Sequence, residues 1–264
     1  MGLLQMFAPS RPPAASFAEA RVGYAIGDIH GRADLLVRMF ELLEARAEAD
    51  KREGGEPIVV FLGDYIDRGP NSRAVLDLLI ESRPRGFERH YLKGNHEAAM
   101  LSFLNEPLTN RAWVVHGGAE TLVSYGIKPP PSIGTDDQVW LDVAEKLKAA
   151  LPQAHMDFIQ GLERYVVLGD YAFVHAGIDA ARSMEEQTDG DLLWIRERFL
   201  TSRKRFSHRI VHGHTPSAEP YADQRRIGVD TGAYASGTLS AVRLEGIEDS
   251  FVSVSEPTSK PSRS

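Results

Sequence analysis

Three short polar segments in the first hundred residues carry side chains that can do chemistry. Each follows an apolar run and places carboxylate, imidazole or amide groups in the turn after it: Gly27-Asp28-Ile29-His30-Gly31, Gly63-Asp64-Tyr65-Ile66-Asp67-Arg68-Gly69 and Gly94-Asn95-His96-Glu97. Oxygen and imidazole ligands of this kind suit hard or borderline divalent cations. The segments also supply an arginine and a spare Asp–His pair, which phosphate-ester chemistry needs. They therefore predict a phosphohydrolase that uses two divalent cations.

A site with two cations needs a carboxylate that bridges them. Asp64 is the best candidate because it lies in the middle segment, between the turn with Asp28 and His30 and the turn with Asn95. The second cation needs nitrogen ligands from the other half of the chain, where histidines end two apolar runs. These candidates are His175, which precedes Ala176-Gly177, and His214, which follows Gly213; His212 competes with His214 and is expected to be buried beside it.

Hydrolysis of a phosphate ester also needs positive charge for the phosphate oxygens, because positioning and electrostatics stabilise the transition state. Arg68 lies four residues after Asp64 and can reach back over the same cleft with its planar guanidinium. Arg196 is the candidate for a second phosphate contact, and the nearby Arg198 is its alternative. We therefore expect two arginines to hold the substrate.

The leaving oxygen needs a proton donor, and His96 is the candidate because it directly follows Asn95. Asp67 could bind the other ring nitrogen of His96 and keep the ring protonated. The chain contains no cysteine, and no activated serine is visible. The expected nucleophile is therefore a hydroxide shared by the two metals, which attacks in line and forms no phosphoenzyme.

The elements that position these groups alternate between strand and helix. Apolar runs at 22–26 and 57–62 predict strands, residues 88–92 are interpreted as a third strand, and each is followed by a helical pattern. This alternation predicts parallel βαβ units, whose functional groups lie at the carboxyl ends of the strands. Further strands are predicted after residue 162, where Gly169-Asp170 indicates a hairpin turn and is excluded from the site.

The predicted catalytic domain covers residues 21–252, preceded by a flexible leader at 1–20 and followed by a disordered tail at 253–264. A helical insertion at about 105–162 is expected to cover one side of the cleft. His116 is assigned to this insertion rather than to the site. The insertion also holds the aromatic side chains considered for stacking on a nucleoside, with a place in the core as the alternative: Trp113, Tyr125 and Trp140.

Composition limits the classes of partner. The 264 residues carry a net charge of −7, which argues against general nucleic-acid binding through a basic face. No apolar run approaches the ~18 residues of a membrane span, and the first twenty residues make a poor secretory signal. We therefore expect a cytoplasmic protein with neither nucleic acid nor membrane as a partner.

The three segments stand in order and intact, and with them the chain resembles the metallophosphoesterase superfamily. Within it, the chain is similar to the bacterial and phage branch of the phosphoprotein phosphatases, typified by the bacteriophage lambda serine/threonine enzyme. Further segments carry the resemblance over roughly residues 22–245: Leu193-Trp194-Ile195-Arg196-Glu197-Arg198, Gly213-His214-Thr215-Pro216 and Val229-Asp230-Thr231-Gly232-Ala233. The resemblance implies an α/β, four-layer fold, in which two packed mixed β-sheets are flanked by helices.

The resemblance also implies roles for the site residues. It implies one metal on Asp28, His30 and Asp64, and a second metal bound by Asp64, Asn95, His175 and His214. Arg68, Asn95 and Arg196 would contact the substrate, and His96 with Asp67 would form the acid pair. Manganese is the usual activating ion of this branch, with iron or zinc as alternatives.

Three functions remain open at this point. The leading hypothesis is a serine/threonine protein phosphatase, with a phosphorylated protein as its substrate. The first alternative is a symmetrical diadenosine tetraphosphate hydrolase, since enzymes acting on dinucleoside polyphosphates share the same metal motifs. The second alternative is a non-catalytic phosphate-binding module, which is disfavoured because every expected ligand and His96 are present.

Overall fold

Two mixed β-sheets of five strands each form the centre of the structure, a computed structural model that describes residues 14–81 and 84–257. The first sheet contains β1 (Val22–Ile26), β2 (Ile58–Phe61), β3 (Glu88–Tyr91), β9 (Thr238–Glu245) and β10 (Glu248–Ser255). The second sheet contains β4 (Val166–Leu168), β5 (Tyr171–Phe173), β6 (Arg209–His212), β7 (Tyr221–Ala222) and β8 (Arg226–Gly228).

Parallel pairing at the centre of each sheet brings the strand ends together. The first sheet has the order β10-β9-β1-β2-β3, with β1, β2 and β3 parallel. In that sheet β9 pairs antiparallel with both β1 and β10, so β10 runs in the same direction as β1. The second sheet has the order β4-β5-β6-β8-β7, with β5, β6 and β8 parallel. Gly169-Asp170 forms the turn between β4 and β5, which pair antiparallel, as the sequence predicted.

Helices cover the outer face of each sheet. On the first sheet lie α1 (Ala33–Asp50), α2 (Ser72–Ile80) and α3 (Asn95–Asn105), followed by the helices of the 105–162 segment: α4 (Ala119–Ser124), α5 (Asp137–Ala150) and α6 (Gln153–Gln160). On the second sheet lie α7 (Asp189–Trp194) and α8 (Glu197–Leu200), and the short α9 (Ala233–Ser236) precedes β9. A kinked helical turn over Val114–Gly118 leads into α4.

The alternation of side chains along β2 explains the layering. Val59 and Phe61 point into the core shared with the helices, whereas Ile58 and Val60 point into the core between the two sheets. Both faces of β2 are therefore buried, as is typical of central parallel strands. The result is four layers, helices, sheet, sheet and helices, and the predicted fold is confirmed.

The packed domain extends further than the sequence suggested at each end. Phe17, expected in a flexible leader, is 2 % exposed and packs edge-on against Tyr171 and Phe173 between the sheets. At the other end, β10 continues to Ser255, past the expected boundary at residue 252, because it pairs with β9 along its whole length. The parts of the expected leader and tail at 1–13 and 258–264 lie outside the described residues.

Candidate active site

The predicted site residues meet where the carboxyl ends of the parallel strands from both sheets face one cleft. In the first sheet, Asp28 and His30 follow β1, Asp64 follows β2, and Asn95 begins α3 after β3. In the second sheet, His175 follows β5 and His214 follows β6. Residues from distant parts of the sequence therefore reach the same place because the strands that carry them run in parallel.

The backbone of the site is held in an unusual conformation. Six described residues other than glycine have a positive φ, and five of them belong to the predicted site: His30, Asp64, Asp67, Arg68 and His214. Side chains other than glycine rarely adopt this left-handed region, so the surrounding structure must impose it. Such residues cluster at functional sites because the strained turn aims its side chain into the cleft.

Glu97 is the residue that fixes the Asp64 turn. Its buried carboxylate accepts hydrogen bonds from the backbone N–H groups of Asp64 at 3.0 Å, Tyr65 at 2.8 Å and Gly94 at 3.0 Å. Burial, followed by the charge of Asp64, raises the pKa of Glu97 to about 8. The sequence displayed Glu97 at the end of the third segment but gave no reason to assign it this role.

Asp64 lies at the centre of the candidate ligands. Its Oδ2 atom is 3.5 Å from Nε2 of His30 and 3.4 Å from Nε2 of His175. Two groups of side chains could each hold a cation, with ligand atoms within 4.8 Å of one another, and Asp64 belongs to both: His30, Asp64 and His96, and Asp64, His175 and His214. This is the position that the sequence predicted for a bridging carboxylate.

Asn95 and Asp28 complete the ligand cluster. The Oδ1 atom of Asn95 is 2.9 Å from Nε2 of His175 and 2.8 Å from Nδ1 of His214. The carboxylate of Asp28 accepts a hydrogen bond from the backbone N–H of His214 at 3.1 Å. Asp28 therefore lies in the same turn as His30 and also contacts the backbone of His214.

The charge state of the cluster fits a cation. Burial lowers the pKa of His30 to about 3 and that of His214 to about 2, so both imidazoles are neutral near pH 7 and have lone pairs to offer. Burial, then the charges of Asp230 and Asp64, raises the pKa of Asp28. Nε2 of His214 is buried without a hydrogen-bond partner among the described residues. Buried carboxylates and neutral imidazoles are the donor set that divalent metals take.

Two glycines leave room for the carboxylates of Asp64 and Asp28 to lie directly against the backbone of neighbouring turns. A Cβ atom on Gly94 would lie 2.1 Å from Oδ1 of Asp64, and one on Gly213 would lie 2.1 Å from Oδ1 of Asp28. Neither distance is sterically allowed. Any side chain at these positions would therefore push a candidate ligand out of place.

His96 and Asp67 form a buried pair beside the ligands. Nδ1 of His96 is 2.6 Å from Oδ2 of Asp67, which leaves Nε2 of His96 facing the cleft, 4.0 Å from Asp64. Burial alone would lower the pKa of His96, but the charge of Asp64 and the hydrogen bond to Asp67 outweigh it and raise that pKa. The pair has the geometry of a general acid held by a carboxylate.

The insertion supplies two further donors to Asp67. Nε1 of Trp113 donates to Oδ2 of Asp67 at 2.7 Å, and Oγ1 of Thr121 donates to Oδ1 at 2.6 Å. All three side chains are buried. Burial raises the pKa of Asp67, and the hydrogen bonds from His96, Thr121 and Trp113 oppose that rise. The three bonds together hold the carboxylate in one orientation. The sequence did not predict these donors, and Trp113 is a buried support of the acid pair.

The cleft above the candidate ligands contains two neighbouring cavities of about 630 and 500 Å³, and the side chains of Arg68 and His116 line both. Arg196 lines the smaller cavity, whereas the alternative, Arg198, forms an ion pair with Asp179. Of the two candidates, Arg196 is the one that lines the cleft. His116 was assigned to the insertion and not to the site, but the kinked turn carries it into the cleft wall.

The model of the family described as calcineurin-like phosphoesterase matches residues 24–244 of the chain. The chain belongs to this family. The matched range includes both sheets up to β9 and every candidate site residue described above. The chain is therefore a metallophosphoesterase, a hydrolase of phosphate esters.

Two relatives of this phosphoesterase that match over most of its length carry the same name. The chain is 29% identical to the asymmetrical bis(5'-nucleosyl)-tetraphosphatase PrpE of Geobacillus thermodenitrificans (strain NG80-2), covering 89% of this chain and 94% of that protein. It is 26% identical to the protein of the same name from Bacillus thuringiensis (strain Al Hakam), with the same coverage.

Solved structures support the fold of the phosphoesterase but name different activities. A structure presented as that of a candidate diadenosine tetraphosphatase matches with a TM-score of 0.59 at 19% identity, covering 93% of this chain and 100% of the other. The cold-active protein tyrosine phosphatase of a psychrophilic Shewanella species matches with a TM-score of 0.56 at 16% identity, covering 90% and 82%. At these sequence identities the similarity shows a common fold and does not indicate which substrate the protein uses.

Two further features of the phosphoesterase complete its description. Asp230, which follows β8, is buried near Asp28 and Asp64, and burial raises its pKa to about 6. Its only sequence signal was its place in the segment Val229-Asp230-Thr231-Gly232-Ala233, so no role was assigned to it. Among residues 14–81 and 84–257, no helix is long and apolar enough to cross a membrane.

Proposed function

We propose that this phosphoesterase hydrolyses dinucleoside tetraphosphates, with diadenosine tetraphosphate as the first substrate to test. The observation that carries the proposal is the near full-length similarity to the tetraphosphatases of Geobacillus and Bacillus, at 26–29% identity. The geometry agrees with any phosphoester substrate, because its ligand cluster, acid pair and arginines act on phosphate. A long anionic substrate also suits a cleft with two neighbouring cavities that share Arg68.

The candidate ligands would form two neighbouring cation sites that share Asp64. Asp28, His30 and Asp64 would hold one divalent cation, and a second cation would be held by Asp64, Asn95, His175 and His214. When bound, the cations neutralise phosphate charge and lower the pKa of water, which is the chemistry that the protein side chains lack. Manganese is the ion to test first, with iron and zinc beside it.

The side chains around this centre orient the phosphate and move one proton. Arg68, Asn95 and Arg196 bind the oxygens of the phosphate under attack. Water attacks phosphorus and releases one proton to solvent, the bond from phosphorus to the leaving oxygen breaks, and Nε2 of His96 gives its proton to that oxygen. Asp67 stabilises the charged ring before the transfer, and His96 regains a proton from solvent afterwards.

The competing hypothesis is the protein phosphatase that the sequence motifs first suggested. It would use the same centre, but the two relatives described above, which match over 94% of their own length, carry the tetraphosphatase name. The names of these relatives also specify asymmetrical cleavage, whereas the alternative drawn from the sequence was a symmetrical hydrolase. We propose asymmetrical cleavage, which would release ATP and AMP, where symmetrical cleavage would release two ADP.

The test is hydrolysis of diadenosine tetraphosphate and of a phosphothreonine peptide at equal concentration, each with and without Mn²⁺. Anion-exchange chromatography separates AMP, ADP and ATP, and phosphate release reports the peptide. We expect Mn²⁺-dependent formation of ATP and AMP, which the His96→Asn variant should lose if the activity belongs to this cleft. Faster turnover of the peptide would overturn the proposal in favour of a protein phosphatase.

A further inference from the structure

Exposed aromatic side chains are rare in this protein, and two of them border the candidate metal centre. Among the described residues, the aromatic side chains that are well exposed are Trp194, Tyr234 and Phe251. Phe251 lies on the edge strand β10, away from the cleft, whereas the other two line its cavities. Large aromatic groups left open to water at a binding cleft indicate contact with a ligand.

Trp194 borders the side of the cleft that His214 occupies. Its indole is 53% exposed, and its centroid lies 6.4 Å from that of the His214 ring. It lines the cavity of about 500 Å³ together with Arg196 and His96. No hydrogen bond to a described residue holds the indole, so its flat face is open for stacking.

Tyr234 borders the opposite group of ligands. Its ring is 39% exposed, its centroid lies 5.3 Å from that of His30, and the guanidinium of Arg68 sits 5.0 Å from the ring centroid. It lines the other cavity, of about 630 Å³, with His116 and Pro129. One aromatic side chain therefore accompanies each of the two ligand groups.

The aromatic residues that the sequence offered for this purpose are in the core. Trp113, Tyr125 and Trp140 are 3%, 7% and 1% exposed, and Trp113 is engaged with Asp67. Trp194 and Tyr234 come instead from α7 and α9, in the part of the chain that builds the second sheet and its connections. A base that stacked in the cleft would meet these two rings first.

We propose that Trp194 and Tyr234 each stack on one nucleobase of a dinucleoside polyphosphate, so that the phosphate chain runs between them across the metal centre and Arg68. This inference rests on the proposed function and adds to it the residues that recognise the two ends of the substrate. Purine bases stack well on both kinds of ring, and such stacking tolerates changes of base because every base has a π-face.

The test compares Trp194→Ala, Tyr234→Ala and the double variant on substrates with two bases and with none. The substrates are diadenosine tetraphosphate and inorganic tripolyphosphate, and Phe251→Ala is the control for loss of an exposed ring. Each alanine variant should raise KM for the dinucleotide about tenfold, as loss of one stacked base predicts, and leave KM for tripolyphosphate within about twofold. Trp194→Phe and Tyr234→Phe, which keep a ring, should recover most of the loss.

The outcomes separate the two proposals. If wild-type enzyme cleaves the dinucleotide and the alanine variants keep its KM, the stacking residues are wrong and the proposed function stands. If Tyr234→Ala lowers kcat equally on both substrates, Tyr234 only positions Arg68, and its part of the inference fails. If wild-type enzyme does not cleave the dinucleotide at all, both proposals fail.

Discussion

At the scale of single residues, the acid pair is the part of the site with the sharpest geometry. His96 is held through Nδ1 by Asp67 at 2.6 Å, and its other nitrogen faces the cleft. The ligand residues, by contrast, take part in no proton transfer in the proposed reaction. Substitution of His96 should therefore lower turnover and leave metal binding intact, whereas substitution of a candidate ligand should reduce both. Measuring metal content and turnover together distinguishes the two roles.

His96→Asn should keep bound metal but lose turnover. The carboxamide can still hydrogen-bond to Asp67, but its N–H groups are not acidic enough to protonate a leaving oxygen. We expect kcat to fall about 10²- to 10⁴-fold, the usual contribution of a general acid. Metal content by mass spectrometry and kcat on diadenosine tetraphosphate check this; wild-type kcat in the variant would remove His96 as the acid.

At the scale of elements, the insertion supports the proposed acid pair. Trp113 comes just before the kinked turn and Thr121 from α4, and both donate to the carboxylate of Asp67. The backbone N–H of Arg68 also donates to the carbonyl of Gly117 at 3.0 Å. Through these bonds the segment from Trp113 to α4 fixes the orientation of Asp67 in the proposed acid pair and the backbone position of Arg68, which we propose binds phosphate.

Trp113→Phe should lower kcat about tenfold, because it removes a hydrogen bond to a charged group while keeping most of the ring. The matched control is Trp140→Phe, a buried tryptophan of the same insertion whose Nε1 has no partner among the described residues. Steady-state kinetics of both variants, with thermal unfolding to compare their stability, measure the difference. Equal kcat in the two variants would show that the indole N–H does not support Asp67.

Phe17 tests whether the segment before β1 belongs to the folded domain. Phe17→Ala should lower the free energy of unfolding by about 3 kcal/mol, the usual loss for a buried phenylalanine. Phe251→Ala is the control, since that ring is 36% exposed and should cost far less. Urea unfolding followed by circular dichroism gives both values, and equal small losses would mean that Phe17 packs only weakly.

The sequence predicted those elements whose signal is local and missed those that depend on distant partners. The candidate ligand Asp64 was predictable because it follows a continuous apolar run, and Asn95 because it lies in a short motif of polar residues and glycine. The donors to Asp67 were not, since they lie 46 and 54 residues away in the chain and meet it only after folding. β10 was missed because it is an edge strand rich in polar residues, and Phe17 because its neighbours are small or polar.

At the scale of the whole molecule, the candidate metal centre joins the two sheets. Its ligands come from loops after β1, β2 and β3 of one sheet and after β5 and β6 of the other. Without cations, several buried carboxyl groups face one another, as the raised pKa values of Asp28 and Asp230 indicate. Bound metal should therefore stabilise the entire fold as well as permit the reaction.

Mn²⁺ at about one hundred times its dissociation constant should stabilise the native state by about 2.7 kcal/mol, because it binds the folded form alone. For a chain of this size the melting temperature should rise by about 5–10 °C over a sample kept in EDTA. Asp64→Asn removes the shared carboxylate and should abolish most of that rise. Differential scanning calorimetry measures both proteins, and identical melting of the wild type with and without Mn²⁺ would contradict a metal site between the sheets.

The hydrogen bonds that join the insertion to Asp67 also restrict how this protein can change. A segment that shapes one wall of a cleft is usually free to vary, so that related enzymes acquire new substrates by exchanging it. Here an exchanged insertion would have to bring its own equivalents of Trp113 and Thr121, or the acid pair would lose its support. New specificity in this protein should therefore arise more readily through Trp194 and Tyr234, which can be replaced without touching the proton donor.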